Sequence, residues 1–316
     1  MRITNSMMLN SMMRNMGNNL SRMNKTEQMV ATGKKFSLPS DDPIGVSRSM
    51  RLNTEIASLD QYKRNAEDAL SWLETSETAV TNLTTIFHRA KELTKQAENE
   101  TNTAEERSII ATEMKELKNQ VIGLANTTYA GSYIFAGFKT DKPLMDAAGL
   151  YLPTALSNNE TIEFNIGIAD KMAINILPQN LFGNTAGGQT ADQPNDAVTP
   201  INPGNTPQMI KVFDDLITGL NSNLTADIKL GSERLDKQFK NLNTVKTAIG
   251  VKTNRLELTV SRINEDTVNM TGLLAKNEDV DMAEAIMNLK MQESVYQASL
   301  STGARIIQPT LIDFLR

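Results

Sequence analysis

The chain has 316 residues, 40% hydrophobic and 22% charged, a balance that suits a folded protein and leaves room for two domains or one long one. A formal net charge of -5 argues against nucleic-acid binding, which needs clustered positive charge, and the absence of cysteine removes disulfides, thiolate nucleophiles and thiolate metal sites. Aromatic residues make up only 5%, so the interior must be built from Leu, Ile, Val, Ala and Met, as in narrow helix-to-helix seams.

The first segment carries Arg2, Arg14, Arg22, Lys25, Lys34 and Lys35 against Glu27 alone, a basic stretch in an acidic chain. Its apolar run Met7, Met8, Leu9 is closed by Asn10, too short for a secretory signal, so no cleaved signal is predicted. No apolar run reaches the roughly 18 residues that a membrane helix needs, which predicts no membrane span. From Leu9 the spacing Leu9, Met13, Met16, Leu20, Met23 and Val30, with Glu27 filling one slot, predicts a heptad helix. Gly33 with Lys34 and Lys35 reads as its stop, glycine supplying the left-handed residue and the cations meeting the negative helix end.

Asp42 before Pro43 is a start signal, because the carboxylate accepts orphan amides and proline at the first helical position lacks one. The helix it opens carries Leu52, Ile56, Leu59, Ala66, Leu70, Leu73, Val80, Phe87 and Ala90 to about Asn99. Thr103 with Glu106 reads as a capping box for a third helix with Ile110, Met114, Leu117, Val121 and Leu124 on one stripe, expected to end near Gly131.

Periodicity then changes. Tyr133 to Phe135, Glu163 to Ala169 and Met172 to Leu177 have strand character, so the middle is predicted to be a small β-containing insert. Residues 183 to 207, rich in Gly, Pro, Asn and Thr, read as an exposed loop. Leu235, Leu242, Ile249, Leu256, Ile263 and Met270 recur every seventh residue, with Phe239, Val260 and Leu274 taken as the companion row, and predict a long coiled-coil-like helix. A last helix from about Asp281 carries Met282, Ile286, Leu289, Tyr296, Leu300, Ile307 and Phe314, interrupted by Glu293 and Gly303, with Pro309 kinking or ending it.

The predicted fold is mainly α: an elongated antiparallel helical bundle or coiled coil formed by the N- and C-terminal halves, with the β insert between them. Three parts are expected: a terminal assembly domain of 1–42 with 281–316, a bundle of 43–132 with 206–280, and a variable part, 133–205. A single heptad seam buries too little to offset the backbone entropy of ordering either end, so both ends are expected to gain their order by pairing in an assembly. Eight of the 17 methionines fall within residues 1 to 30, giving that helix a surface able to adapt to non-identical neighbours. The candidate assembly residues are therefore Met13, Met16, Leu20, Met23, Val30, Ile286, Leu289, Tyr296, Leu300, Ile307 and Phe314, with Asp42 and Pro43 as a helix cap.

Several segments together resemble a known family: Met1 to Thr4, Ala31 to Lys35, Pro39 to Val46, Tyr62 with Asn65 and Ala66, Gly131 to Gly137, Gly250 with Asn254 to Glu257, and Gln308 to Leu315. They are similar to the bacterial flagellin superfamily in its hook-associated protein 3 branch, over roughly residues 1–140 and 206–316. Flagellin itself usually has alanines where this chain has Pro39 and Pro43. The resemblance implies a non-enzymatic structural subunit, without cofactor or metal, at the junction between flagellar hook and filament. It also implies export through the flagellar type III apparatus to the extracellular flagellum without a cleaved signal. The implied partners are copies of itself in a ring, another hook-associated protein on the hook side, flagellin on the filament side, and an export chaperone on the C-terminal segment.

Two other functions compete with this reading. The chain could be the filament flagellin itself, which would share the termini and bundle, or a carboxylate-dependent hydrolase on a helical bundle, with Asp41 and Asp42 as paired acids. Capping is the simpler role for Asp42, and a single histidine, His88, supplies neither a metal site nor a triad. The basic N-terminal stretch also has the composition of an organelle transit peptide, against which stand its Met-rich heptad and its asparagines.

Overall fold

The computed structural model describes residues 5–99, 102–152, 160–184 and 203–307. Within them the elements run α1 (Asn5–Thr32), α2 (Pro43–Glu98), α3 (Ala104–Ala125), β1 (Thr128–Tyr129), β2 (Ser132–Tyr133), β3 (Glu163–Asn165), β4 (Lys171–Ala173), α4 (Pro178–Phe182), α5 (Gln208–Asn221), α6 (Thr225–Glu278) and α7 (Met282–Ile307). The mainly α architecture expected from the heptads is the observed one. The chain forms two compact units, 1–59 with 265–316 and 60–264, whose boundaries fall inside α2 and α6. Most of the predicted loop at 183–207, and Pro309, lie outside the described residues.

In the unit formed by 60–264, the apolar positions of α2 (Ala66, Leu73, Val80, Leu83, Phe87, Ala90) are fully buried against α3, α5 and α6. Phe87 meets Phe213 edge to face, with ring centroids 5.5 Å apart. Thr103 and Glu106 form the expected capping box: the Glu106 amide donates to the Thr103 hydroxyl, and the Thr103 amide donates to the Glu106 carboxylate. His88 lies against the Phe239 ring at 4.6 Å, a packing contact.

Three features depart from the sequence expectation. First, α3 ends at Ala125, not near Gly131. Asn126 leaves the helix to exchange two hydrogen bonds with the Met145 backbone, and a tight hairpin of β1 and β2 follows. Its central residues, Ala130 and Gly131, have φ of 49° and 84°, the paired left-handed geometry that closes a two-residue hairpin. Second, the strand-like stretches shrink to a second hairpin of three residues per strand, pairing Glu163 with Ala173 and Asn165 with Lys171. Of the other apolar residues there, Ile166, Ile174 and Ile176 are buried as irregular chain, while Ile168 is exposed.

Third, α5 is a separate helix, burying Met209, Ile210, Val212, Phe213, Leu216 and Leu220, that the sequence reading passed over. It is anchored by Lys118 to Asp214 at 2.6 Å and Arg234 to Asp215 at 2.7 Å. Along α6, Leu235, Leu242, Ile249, Leu256 and Ile263 are buried as expected. The buried companion row, however, is Gln238, Val245 and Thr259, three residues after each Leu or Ile; Phe239 and Val260, four residues after, are only partly buried.

Candidate assembly interface

The unit formed by 1–59 and 265–316 is built around a backbone clasp. α1 stops at Thr32, where Gly33 takes φ +70° and its amide donates to the Met29 carbonyl. The chain then pairs with the end of α6: the Lys35 amide donates to the Glu278 carbonyl at 2.7 Å, and the Val280 amide donates to the Gly33 carbonyl at 2.9 Å. Lys34 Nζ lies 2.6 Å from Glu278 Oε2, and Lys25 Nζ lies 3.0 Å from Asp41 Oδ1. The hydrogen bond from Lys34, helped by the Ser49 hydroxyl, outweighs desolvation and holds the Glu278 carboxyl below its ordinary pKa. Asn277 Nδ2 donates to both the Gly45 carbonyl and the Ser49 hydroxyl.

Two aspartates open the helices on either side of this clasp. Asp42 Oδ1 accepts from the amides of Ile44 and Gly45 at 3.1 and 3.0 Å, with Pro43 first in α2. Asp281 Oδ1 does the same for Ala283 and Glu284 at the start of α7, at 2.9 and 3.3 Å. Each carboxylate satisfies two amides that have no partner inside the helix. A Cβ at Gly45 would run into Asp42 and the Phe36 ring, so glycine is what lets the cap and the buried Phe36 share this corner.

From the clasp α1 and α7 run antiparallel against each other, with Asn19 Nδ2 donating to Ser299 Oγ at 3.3 Å and Met12 seated on Gly303. The shielded positions of α1 are Leu9, Met12, Met16, Asn19, Met23, Thr26 and Val30; those of α7 include Ala285, Leu289, Gln292, Tyr296, Ser299 and Gly303. Both rows keep the three-four alternation of a heptad. Of the residues singled out from sequence, Met16, Met23, Val30, Leu289 and Tyr296 lie in this seam. Met13, Leu20, Ile286 and Leu300 do not: they are 63%, 38%, 45% and 44% exposed. Ile307 is the last residue of α7, and Phe314 lies outside the described residues.

The reading therefore missed Met12, Asn19, Thr26, Ala285, Gln292, Ser299 and Gly303. They fall in the three-four pattern of the seam, but six of them are polar or small, so a search for apolar residues steps to the next position along the helix. The consequence is physical. Among the described residues of this unit the buried hydrophobics are Phe36 and Ala285 alone, while Met7, Met13, Ile44, Met50, Met287 and Met291 stand 59–83% exposed. The groove beside the seam, lined by Met7, Met8, Met12, Met16 and Val295 among others, encloses about 810 Å³. Exposed apolar surface on this scale makes this face the candidate interface.

An antiparallel helix pair that closes a mixed seam and leaves other large apolar side chains outside is the build of a helical structural protein. Residues 3–140 match the bacterial flagellin N-terminal helical region and residues 232–315 match the bacterial flagellin C-terminal helical region. The chain belongs to the bacterial flagellin family. It is 28% identical over 311 residues to flagellar hook-associated protein 3 of Escherichia coli (strain K12), covering 95% of each chain. It is 25% identical over 296 residues to a flagellin of Halalkalibacterium halodurans, covering 93% of this chain and 92% of the relative. In fold it resembles flagellar hook associated protein-3 from Legionella pneumophila, with a TM-score of 0.59 at 17% identity over 72% of this chain and 98% of that one. A structure of the flagellar junction protein FlgL from the same organism gives 0.56 at 17% identity, covering 74% and 100%.

Family membership makes the chain a structural flagellar component and not an enzyme. The hydrolase reading falls with it, and the geometry gives the reason: Asp42 is engaged with two backbone amides and Asp41 with Lys25. No described helix is long and apolar enough to cross a membrane.

Proposed function

We propose that this chain is a structural subunit of the junction between flagellar hook and filament, and a platform on which flagellin assembles. The single observation that carries the mechanism is the unit's exposed apolar surface: the α1–α7 seam alternates large apolar with polar and small residues, while Met7, Met13, Met287 and Met291 stand outside it. The choice of junction over filament is supported by similarity to Escherichia coli hook-associated protein 3 along almost the whole of both chains. The assembly surface comprises Met13, Met16, Leu20, Met23, Val30, Ile286, Leu289, Tyr296, Leu300, Ile307 and Phe314. Met13, Leu20, Ile286 and Leu300 reach neighbouring subunits, while Met16, Met23, Val30, Leu289 and Tyr296 hold the pair together.

In this reading residues 1–42 with 281–316 form the assembly part, 43–132 with 206–280 a supporting bundle, and 133–205 the variable outer part. The partners are copies of this chain in a ring, another hook-associated protein on the hook side and flagellin on the filament side, with an export chaperone on the C-terminal segment before secretion. The subunit leaves the cell through the flagellar export apparatus without a cleaved signal. Electron microscopy of a strain lacking the gene tests this: bare hooks with flagellin shed into the medium are expected, and attached filaments would overturn it. A second reading, filament flagellin, is favoured by the full-length similarity to the Halalkalibacterium protein. Purified chain that grows into long fibres would select it; chain that stops at short or closed assemblies selects the junction.

A further inference from the structure

We propose that Met12 and Gly303 set the register of the α1–α7 pair, a knob on one helix and a notch in the other, with the Asn19–Ser299 hydrogen bond as a second point of registration. The proposal deepens the assembly reading above and rests on it. Heptad seams permit neighbouring registers seven residues apart. The backbone bonds of Gly33 with Val280 and of Lys35 with Glu278 hold the near ends of the pair, and the far ends, about 20 residues along, need a choice of their own. Apolar burial distinguishes these registers weakly, because the seam mixes Met16, Met23, Val30, Leu289 and Tyr296 with Asn19, Thr26, Gln292 and Ser299, while Met13, Leu20, Ile286 and Leu300 face outward.

The notch distinguishes them by shape. Gly303 is buried, and a Cβ built there would meet the Met12 side chain. Shifting α7 by one heptad would bring Tyr296 to the position of Gly303 and Gln292 to that of Ser299. Asn19 would still find a polar partner in Gln292, so the hydrogen bond alone does not exclude the shift. Met12 would lose its seat to a phenol ring, and this steric difference decides. Register in turn fixes which outward residues stand side by side, Met13 and Leu20 on α1 with Ile286 and Leu300 on α7. It thereby determines the composite surface offered to a neighbour. A single added Cβ is within reach of the flexible Met12 side chain, which can swing aside; a branched side chain takes the seat itself.

The chain has no cysteine, so a single engineered pair reports register cleanly. Asn19→Cys with Ser299→Cys joins two positions already in contact. A one-heptad shift moves them about 10 Å along the axis, at about 1.5 Å per residue, beyond the roughly 7 Å that a disulfide spans. In purified full-length chain carrying this pair, oxidation is expected to give the intramolecular cross-link. Gly303→Leu should lower its yield several-fold, and Met12→Ala with Gly303→Met, which reverses knob and notch, should restore it. An equal yield in the Gly303→Leu chain, no recovery in the reversed pair, or no cross-link in the starting chain would each overturn the proposal. In cells, with Asn19 and Ser299 intact, Gly303→Leu should abolish flagellin attachment and the reversed pair should recover it. The cross-link involves neither hook nor filament, so its failure is separable from failure of the junction reading.

Discussion

Lys34 Nζ sits 2.6 Å from Glu278 Oε2, joining the residue just beyond the end of α1 to the last residue of α6. Because that contact depresses the Glu278 pKa from its ordinary 4.5, it contributes stability that is complete above that value. The contribution is lost as pH falls below 4.5 and through the depressed folded-state value. Asp41, depressed mainly by Lys25, acts in the same direction. Protection factors of the Lys35 and Val280 amides, corrected for the intrinsic exchange rate at each pH, should fall on acidification in the parent chain. Glu278→Gln should be faster-exchanging at neutral pH and show a shallower acid dependence; an unchanged slope would contradict the assignment.

Asp42 and Gly45 make a paired prediction about the start of α2. Asp42→Ala should cost about 1 kcal/mol, while Asp42→Asn, which keeps an acceptor, should cost little. Gly45→Ala drives a methyl group into both Asp42 and Phe36 and should cost about 1–3 kcal/mol. Chemical denaturation with a probe near Phe36 orders the three variants. A Gly45→Ala protein as stable as the parent would show that the corner is looser than its geometry.

The edge-to-face contact of Phe87 with Phe213 lies in the core of the unit formed by 60–264, where both rings are fully buried. Phe87→Ala should destabilise that unit by about 3–5 kcal/mol. Leu258, 73% exposed, should tolerate Ser within about 0.5 kcal/mol. Urea midpoints of the two variants measure the difference.

Outward residues of the terminal pair should behave in the opposite manner, silent in the isolated chain and decisive in the assembly. Leu20→Glu and Ile286→Glu are expected to change thermal unfolding by no more than about 1 kcal/mol, because each side chain is more than a third exposed and lies outside the seam. Complementation of a deletion strain should nevertheless fail, with flagellin found in the medium. Motile cells carrying both changes would remove these residues from the interface.

With only Phe36 and Ala285 as buried hydrophobics among the described residues of its unit, the α1–α7 pair should open far more readily than α3 or the part of α6 that carries Leu235 and Leu242. Hydrogen–deuterium exchange of dilute chain should label α1 and α7 orders of magnitude faster than α3, and incorporation into flagella should protect them. Equal protection of all four segments in the free chain would contradict the idea that assembly supplies the order.

The amino-acid sequence by itself determined the long helices and most of their ends, because those depend on short-range chemistry. Gly33 stops α1, Asp42 with Pro43 starts α2, Thr103 with Glu106 starts α3, and each acts on amides or carbonyls within about one turn. It also fixed one row of every seam, the positions that recur at seven residues such as Leu242 and Ile249, because a heptad is visible without a partner. The tertiary structure decided the second row. A residue three positions on and one four positions on both complete a heptad, and only the location of the neighbouring helix selects between them. At one step in each of α1, α6 and α7 the selected residue is the less apolar of the two: Asn19 rather than Leu20, Gln238 rather than Phe239, Ser299 rather than Leu300. Large apolar side chains draw a sequence reader toward the row that the folded chain leaves partly or wholly uncovered. The end of α3 escaped for a related reason, since the pull of Met145 on Asn126 comes from 19 residues away and leaves no local mark.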